Sequence, residues 1–114
     1  MKMPAADDVA QMDALVKEFL ELVGQLINQR RVELGKSQLE VAKIAGFSRT
    51  EMHNIERGHT DEKLGTLFRV CHALQMSFGA AILHALYLMD HPEFRAPAGT
   101  LKNLRGKRSG RSLH

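Results

Sequence analysis

The stretch GFSRTEMHNIERG, residues 46–58, is the part of the sequence that best indicates the fold. A glycine stands at each end, and few of the side chains between them are apolar. Ser48 is followed three residues later by Glu51, which predicts a capping box: the hydroxyl and the carboxylate each bond an amide at a helix N-terminus. A glycine at the far end is typical of a helix C-terminal stop. We therefore expect a short, mostly polar helix over residues 49–57.

The residues just before this stretch predict a second short helix. In KSQLEVAKIAG, residues 36–46, Ser37 and Glu40 form another capping box, and the final glycine stops the helix. The predicted helix runs from about residue 38 to residue 45. Its expected inward side chains are Leu39, Val41, Ala42 and Ala45.

The spacing across both helices is typical of a helix-turn-helix. Counting Gln38 as the first position, the fifth is Ala42, small enough for the second helix to pass close over it. The ninth is Gly46, which can adopt the left-handed conformation of the turn. The fifteenth and eighteenth are Met52 and Ile55, which would anchor the second helix to a core. The four positions together make a strong signal.

Apolar residues on either side of the motif predict further helices. Upstream, an amphipathic pattern runs from Val9 to Leu34, and Gly24 leaves open whether it is one helix or two. A preceding helix carries Met12, Leu15, Val16, Phe19 and Leu20. Three roles are open for this stripe: packing on the domain, which we expect, extending the dimer interface, or docking a partner. Downstream, a stripe of Leu64, Leu67, Phe68, Cys71 and Leu74 predicts another helix.

The segment from Phe78 to Asp90 is apolar on nearly every side. A helix of that kind is buried all round, and in a small domain a second copy is the expected cover. We predict a homodimer whose interface includes Phe78, Ile82, Leu83, Leu86 and Met89.

Charge is distributed unevenly along the 114 residues. The formal net charge is +3, yet residues 23–93 hold eight basic and eight acidic residues. Six basic residues and no acidic residue lie in 94–114. We divide the chain into an N-terminal helical extension (1–22), a central domain (23–91) and a basic tail (92–114) that we predict to be mostly disordered.

Several function classes have no support in the residues. Cys71 is the single cysteine, which suits a reducing cytosol, and no segment resembles a signal peptide or a membrane span. We expect a cytoplasmic protein. The six histidines have no metal-ligand spacing, and both serines of the motif are explained by capping, so we expect no metal, no cofactor and no enzyme activity.

Residues from about 23 to 82 resemble the DNA-binding domain of the Cro/cI (lambda-repressor-like, XRE) family, on the string RRVELGKSQLEVAKIAGFSRTEMHNIERG. The resemblance implies an all-α domain of five helices, here with an extra N-terminal helix. It also implies a homodimeric repressor that places helix 49–57 in the major groove of an inverted-repeat operator. Arg31 and Glu56 match a buried ion pair of the family.

Site residues follow from the same resemblance. Arg49, Thr50 and Asn54 match the positions with which the family reads bases, and His53 lies next to them. We therefore predict that these four residues read bases. The side-chain chemistry at these positions fits base reading, because arginine can make a bidentate contact to guanine and asparagine to adenine. The residues expected at the DNA backbone are Ser37, Gln38, Ser48, Arg57, His59, Thr60 and Lys63.

A second hypothesis stays open. The stretch LGTLFRVCHALQMS, residues 64–77, is similar to the fourth-helix region of HipB-type antitoxins. That resemblance implies a toxin protein as a further partner and autoregulation of the operon, with the terminal segments as candidate toxin-binding parts. Both hypotheses include DNA binding by the central domain.

Overall fold

The computed structural model describes residues 6–59 and 61–95, and within these ranges the chain is all-helical with no strand. The elements are α1 (Ala6–Glu33), α2 (Gln38–Ala45), α3 (Arg49–Arg57), α4 (Leu64–Ala73), α5 (Phe78–Asp90) and a 3₁₀ turn (Pro92–Phe94). The all-α fold class and the predicted bounds of α2, α3 and α5 are confirmed.

Local hydrogen bonds explain where the two motif helices begin. At α2, Ser37 Oγ accepts from the Glu40 amide at 3.0 Å, and Glu40 Oε1 accepts from the Ser37 amide at 2.7 Å, which completes the capping box. At α3, Ser48 Oγ accepts from the Glu51 amide at 3.1 Å, the hydroxyl half of the second box. Between the helices, Gly46 has φ +90°, the left-handed conformation that the spacing predicts.

Helix α1 runs unbroken through Gly24, so the N-terminal apolar pattern forms one helix and not two. A Cβ atom at Gly24 would lie 2.5 Å from the carbonyl oxygens of both Ile55 and Glu56. A Cβ atom at Gly58 would lie 2.7 Å from the Glu21 Cα atom. The two glycines therefore allow α1 and the end of α3 to pack backbone against backbone, and Gly24 does not mark a helix end.

The core lies between α1, α3 and α5, and α2 and α4 complete it. Ala42, Met52 and Ile55 are buried, as the motif spacing predicts. Cys71 is also buried, and its burial raises the pKa of the thiol to about 11. The largest fully buried side chains are Ile27, Met52, Leu74, Glu56, Val23, Val41, Val70, Asn28 and Cys71.

Several predicted core residues are exposed. Leu39 on α2 is 46% exposed, so its predicted inward position is wrong for the single chain. Leu64 and Phe68, in the predicted stripe of α4, also lie on an outer face. In α5 the buried side chains are Ala81, Ala85 and Leu88, whereas Leu83 and Leu86 are exposed. A periodic stripe shows which residues share a helix face, but the face is buried only where another element covers it.

The first turns of α1 extend beyond the rest of the domain. At about 1.5 Å per residue, a helix of 28 residues is roughly 42 Å long, and the principal extents of the structure are 57, 32 and 23 Å. Met12, Leu15 and Val16 are consequently exposed, so their expected packing on the domain is wrong. Phe19, further along α1, does pack against the core.

The boundary predicted at residue 22 falls inside α1, where the helix is continuous. The first residues of the predicted tail are folded onto the domain: Arg95 Nε donates to the Leu88 carbonyl oxygen at 2.8 Å, and Arg95 Nη2 lies 2.8 Å from Glu18 Oε2. The remaining tail, residues 96–114, lies outside the described residues. No single described helix is long and apolar enough to cross a membrane, and the one helix pair that passes by length and composition, α4 with α5, is bent by 108°.

Candidate nucleic-acid interface

The four predicted base-reading residues share one face of α3. Arg49 and Thr50 are exposed, and His53 and Asn54 are partly exposed. Helical spacing puts all four opposite the face whose apolar side chains enter the core. Arg57 lies on the same outward face, one turn further along, and is exposed. The structure thus brings the predicted residues together on one ridge.

The predicted ion pair between α1 and α3 is confirmed. Arg31 Nε lies 2.5 Å from Glu56 Oε2, and Arg31 Nη2 lies 3.0 Å from Glu56 Oε1, which is a bidentate pair. Both side chains are almost completely buried. Breaking a buried pair leaves an uncompensated charge and costs on the order of 3–5 kcal/mol. The pair therefore fixes the C-terminal end of α3 against α1.

Two further donors converge on the same carboxylate. Asn28 Nδ2 donates to Glu56 Oε1 at 2.8 Å, and Gln38 Nε2 donates to the same oxygen at 3.0 Å. Arg31 also donates through Nη1 to the Lys36 carbonyl oxygen at 2.8 Å. The resulting cluster joins α1, α2 and α3, so the angle between the two motif helices is held by a buried polar network.

This arrangement changes the interpretation of Gln38. The family resemblance implies only a phosphate contact for Gln38, but the side chain is largely buried and already bonded to Glu56. An amide group has two N–H bonds, so one donor is left over for a phosphate. The sequence predicts no role for Asn28, because the partner of a polar residue within an apolar helix stripe can be identified only in the folded chain.

The burial of Glu56 also decides the charge of the outward face of α3. Of the four charged residues in this helix, Glu56 is paired internally with Arg31. The solvent side is left with Arg49 and Arg57 against Glu51. A locally positive ridge is what a helix needs in order to approach phosphates.

The other predicted backbone residues flank this ridge. Ser48, Arg57, His59 and Lys63 are exposed, and Ser37 is partly exposed. Lys63 immediately precedes α4 and Ser37 immediately precedes α2. Thr60, also predicted at the backbone, lies outside the described residues.

Arg69 is a cation near the motif that sequence reasoning missed. A Cβ atom at Gly46 would lie 3.8 Å from Arg69 Nη1, so the guanidinium reaches the turn between α2 and α3. Arg69 itself belongs to α4 and is exposed. Its position depends on how α4 packs against α2, and no local pattern in the sequence indicates that packing.

No group of three or more His, Cys, Asp or Glu side chains in residues 6–59 and 61–95 is arranged to hold a metal ion. The described surface depressions are open and lined by side chains of several kinds, away from α3. One, of about 580 Å³, lies between α1 and Arg95, and another, of about 290 Å³, lies between α1 and α5.

The bundle of five helices, the glycine turn and the polar ridge of α3 define a helix-turn-helix DNA-binding domain. A family model described as helix-turn-helix, of the XRE (Cro/cI) type, matches residues 27–80. Residues 27–80 match this family, and the match supports a DNA-binding transcription regulator of XRE type. Families of this kind are in general not enzymes. Comparison with curated proteins and with solved structures gives no significant match.

Proposed function

We propose that the protein is a homodimeric repressor that reads an inverted-repeat operator with α3 in the major groove. The observation that carries the proposal is the outward ridge of α3, where Arg49, Thr50, His53 and Asn54 share one face. Helix α3 is capped by Ser48 at one end and held by Glu56 at the other. A polar face on a helix fixed at both ends is suited to base contacts, since base reading needs side chains held in register.

Phosphate contacts in this proposal come from both ends of the motif. Ser37, Gln38 and Ser48 belong to the starts of α2 and α3, and Arg57, His59 and Lys63 lie at the end of α3 and between α3 and α4. Thr60, outside the described residues, is included from the sequence. We add Arg69, because its guanidinium reaches the turn before α3. Contacts of this kind position the helix and carry little sequence information.

The homodimer in this proposal rests on α5. Leu83 and Leu86 are exposed, and Phe78, Ile82 and Met89 are partly buried against the core. Dimerisation places two copies of α3 about one DNA turn apart, roughly 34 Å, on half-sites related by a two-fold axis.

Selection of bound sequences from random double-stranded DNA tests this function. We expect an inverted repeat whose half-site centres are about ten base pairs apart. Repeating the selection at two salt concentrations should enrich the same site, with weaker binding at the higher salt. Enrichment of a single unrepeated site would contradict the dimeric mode, and no enrichment over the starting pool would contradict sequence-specific binding.

A toxin-neutralising role is the second candidate. The observation in its favour is that Leu64 and Phe68, both in the stretch similar to HipB-type antitoxins, are exposed apolar side chains. A protein partner would cover them. Stable co-purification with the product of a neighbouring toxin gene would establish this role, and a solitary gene whose product purifies alone counts against it.

A further inference from the structure

The first turns of α1 carry an apolar stripe that the described chain leaves uncovered. The stripe consists of Val9, Met12, Leu15 and Val16, each between 43% and 52% exposed. We call residues 7–18 the α1 arm. Helical spacing places these side chains on the same face of α1 as Phe19, Val23 and Leu26, which pack into the core. The core-facing stripe therefore continues past the domain.

A second exposed apolar surface lies close to the arm. Leu83, Leu86 and Tyr87 on α5 are 45–68% exposed, and Phe94 stacks on Tyr87 at a ring distance of 6.0 Å. We call these four residues the α5 surface. Arg95 links the end of α5 to the arm, because it bonds the Leu88 carbonyl oxygen and Glu18, although Glu18 lies on a different face of α1 from the apolar stripe.

The exposed apolar area of the two surfaces can be compared with the area that a stable dimer buries. At roughly 200 Å² for a fully exposed large apolar side chain, the three α5 residues offer about 300 Å². A stable dimer buries about 800 Å² per partner, of which roughly 55–65% is apolar, so it needs about 450–500 Å² of apolar area. Phe94 adds about 100 Å² and the arm stripe about 400 Å², which brings the total above that requirement. Helix α5 alone is too small an apolar surface for a stable dimer.

We propose that the α1 arm is a dimerisation arm, whose apolar stripe packs against a second copy of this chain as part of one interface with the α5 surface. This inference rests on the homodimer of the proposed function and goes beyond it, since it selects one of the three roles open to the N-terminal stripe and names the residues that carry it. Two-fold symmetry then buries both arms at once, because each copy presents the same surfaces to the other.

The first test compares charge-matched variants of the full chain. Met12→Lys with Val16→Lys adds two positive charges on the stripe, and Ala10→Lys with Asp13→Asn adds two on the other faces of the same turns. Sedimentation should show a dimer for the parent chain and the control, and a dissociation constant at least about tenfold weaker for the stripe variant. Circular dichroism checks that all chains are folded.

A third variant separates this inference from the homodimer itself. Leu83→Lys with Leu86→Lys should also weaken the dimer. If that variant dissociates and the stripe variant does not, the arm proposal is overturned and the α5 dimer stands. A parent chain that is monomeric at about 50 µM, far above the dissociation constant of a stable dimer, overturns both.

Fluorescence gives an independent measurement of arm burial. The chain contains no tryptophan, so Met12→Trp provides a single probe on the stripe. Its emission should shift to the blue as concentration rises, with the same midpoint as dimer formation. A blue emission that does not depend on concentration would mean that the arm is covered by its own chain, for example by residues 96–114, and would overturn the proposal.

Discussion

At the scale of single residues, glycine positions show how closely α1 and α3 pack. Alanine is a better helix former than glycine by about 1 kcal/mol, so Gly24→Ala would stabilise an isolated helix. In the folded chain a Cβ atom there would meet two backbone oxygens at 2.5 Å. Backbone cannot move aside as a flexible side chain can. The tertiary contact therefore outweighs the helix propensity.

We predict that Gly24→Ala lowers the free energy of unfolding by about 1–3 kcal/mol or more, as overpacking of a core does. The matched control is Gly65→Ala in α4, where a Cβ atom meets nothing within 4 Å. That change should stabilise the protein by about 0.4–1 kcal/mol. Urea unfolding of both variants gives the measurement. Equal effects of the two substitutions would contradict the close crossing of α1 and α3.

The chain also offers a buried and an exposed ion pair for comparison. Removing the guanidinium by Arg31→Met leaves Glu56 buried with only amide donors, and we expect a loss of about 3–5 kcal/mol. Arg95→Met removes the partly exposed pair with Glu18 and the bonds to the end of α5, and the ion pair itself should contribute no more than about 1 kcal/mol. Thermal unfolding measures both losses. A smaller loss for Arg31→Met than for Arg95→Met would refute the structural role of the Glu56 cluster.

At the scale of helices, local signals predicted some elements well. The bounds of α2 and α3 follow from Ser37, Ser48, Gly46 and Gly58, whose capping and left-handed conformations are set by neighbours in sequence. The outward ridge of α3 was predictable for the same reason. The sequence did not show three features that depend on distant contacts: the continuity of α1 through Gly24, the amide donors Asn28 and Gln38 at Glu56, and the position of Arg69 beside the turn.

Predictions of burial were wrong for a related reason. Leu39 and Met12 follow helical spacing as well as any buried residue does, yet each is about half exposed. Spacing identifies the face of a helix, whereas burial depends on the complete assembly. The bounds of α5 are therefore better predicted from the sequence than its surroundings are.

The capping serines provide a prediction at this scale. Ser48→Ala and Ser77→Ala each remove one N-cap hydroxyl, at α3 and α5 respectively, and each should cost about 1 kcal/mol. Only Ser48→Ala should also weaken DNA binding, because the start of α3 is the proposed contact with the DNA backbone. Unfolding and DNA-binding titrations on the same samples separate the two effects. Equal DNA affinities for both variants would exclude Ser48 from the interface.

At the scale of the whole molecule, the charges of the acidic and basic residues cancel over residues 23–93. The affinity of this region for DNA must therefore come from how its charged side chains are arranged on the surface. We predict that Arg69→Ala weakens binding to all sequences alike and reduces the slope of log affinity against log salt by about 1. Lys17→Ala, which removes an exposed charge from the α1 arm, is the control and should leave the slope unchanged. Equal slopes for the parent chain and Arg69→Ala would remove Arg69 from the proposed backbone contacts.

The central claim is that the outward ridge of α3 reads base edges. The most direct measurement is the ratio of affinities for the selected operator and for random DNA, compared between the parent chain and Arg49→Ala with Asn54→Ala. Each bidentate base contact contributes about 1–3 kcal/mol of discrimination, so the ratio should fall at least about tenfold, while Lys17→Ala keeps it. A double variant that remains folded and discriminates as well as the parent chain would contradict the account.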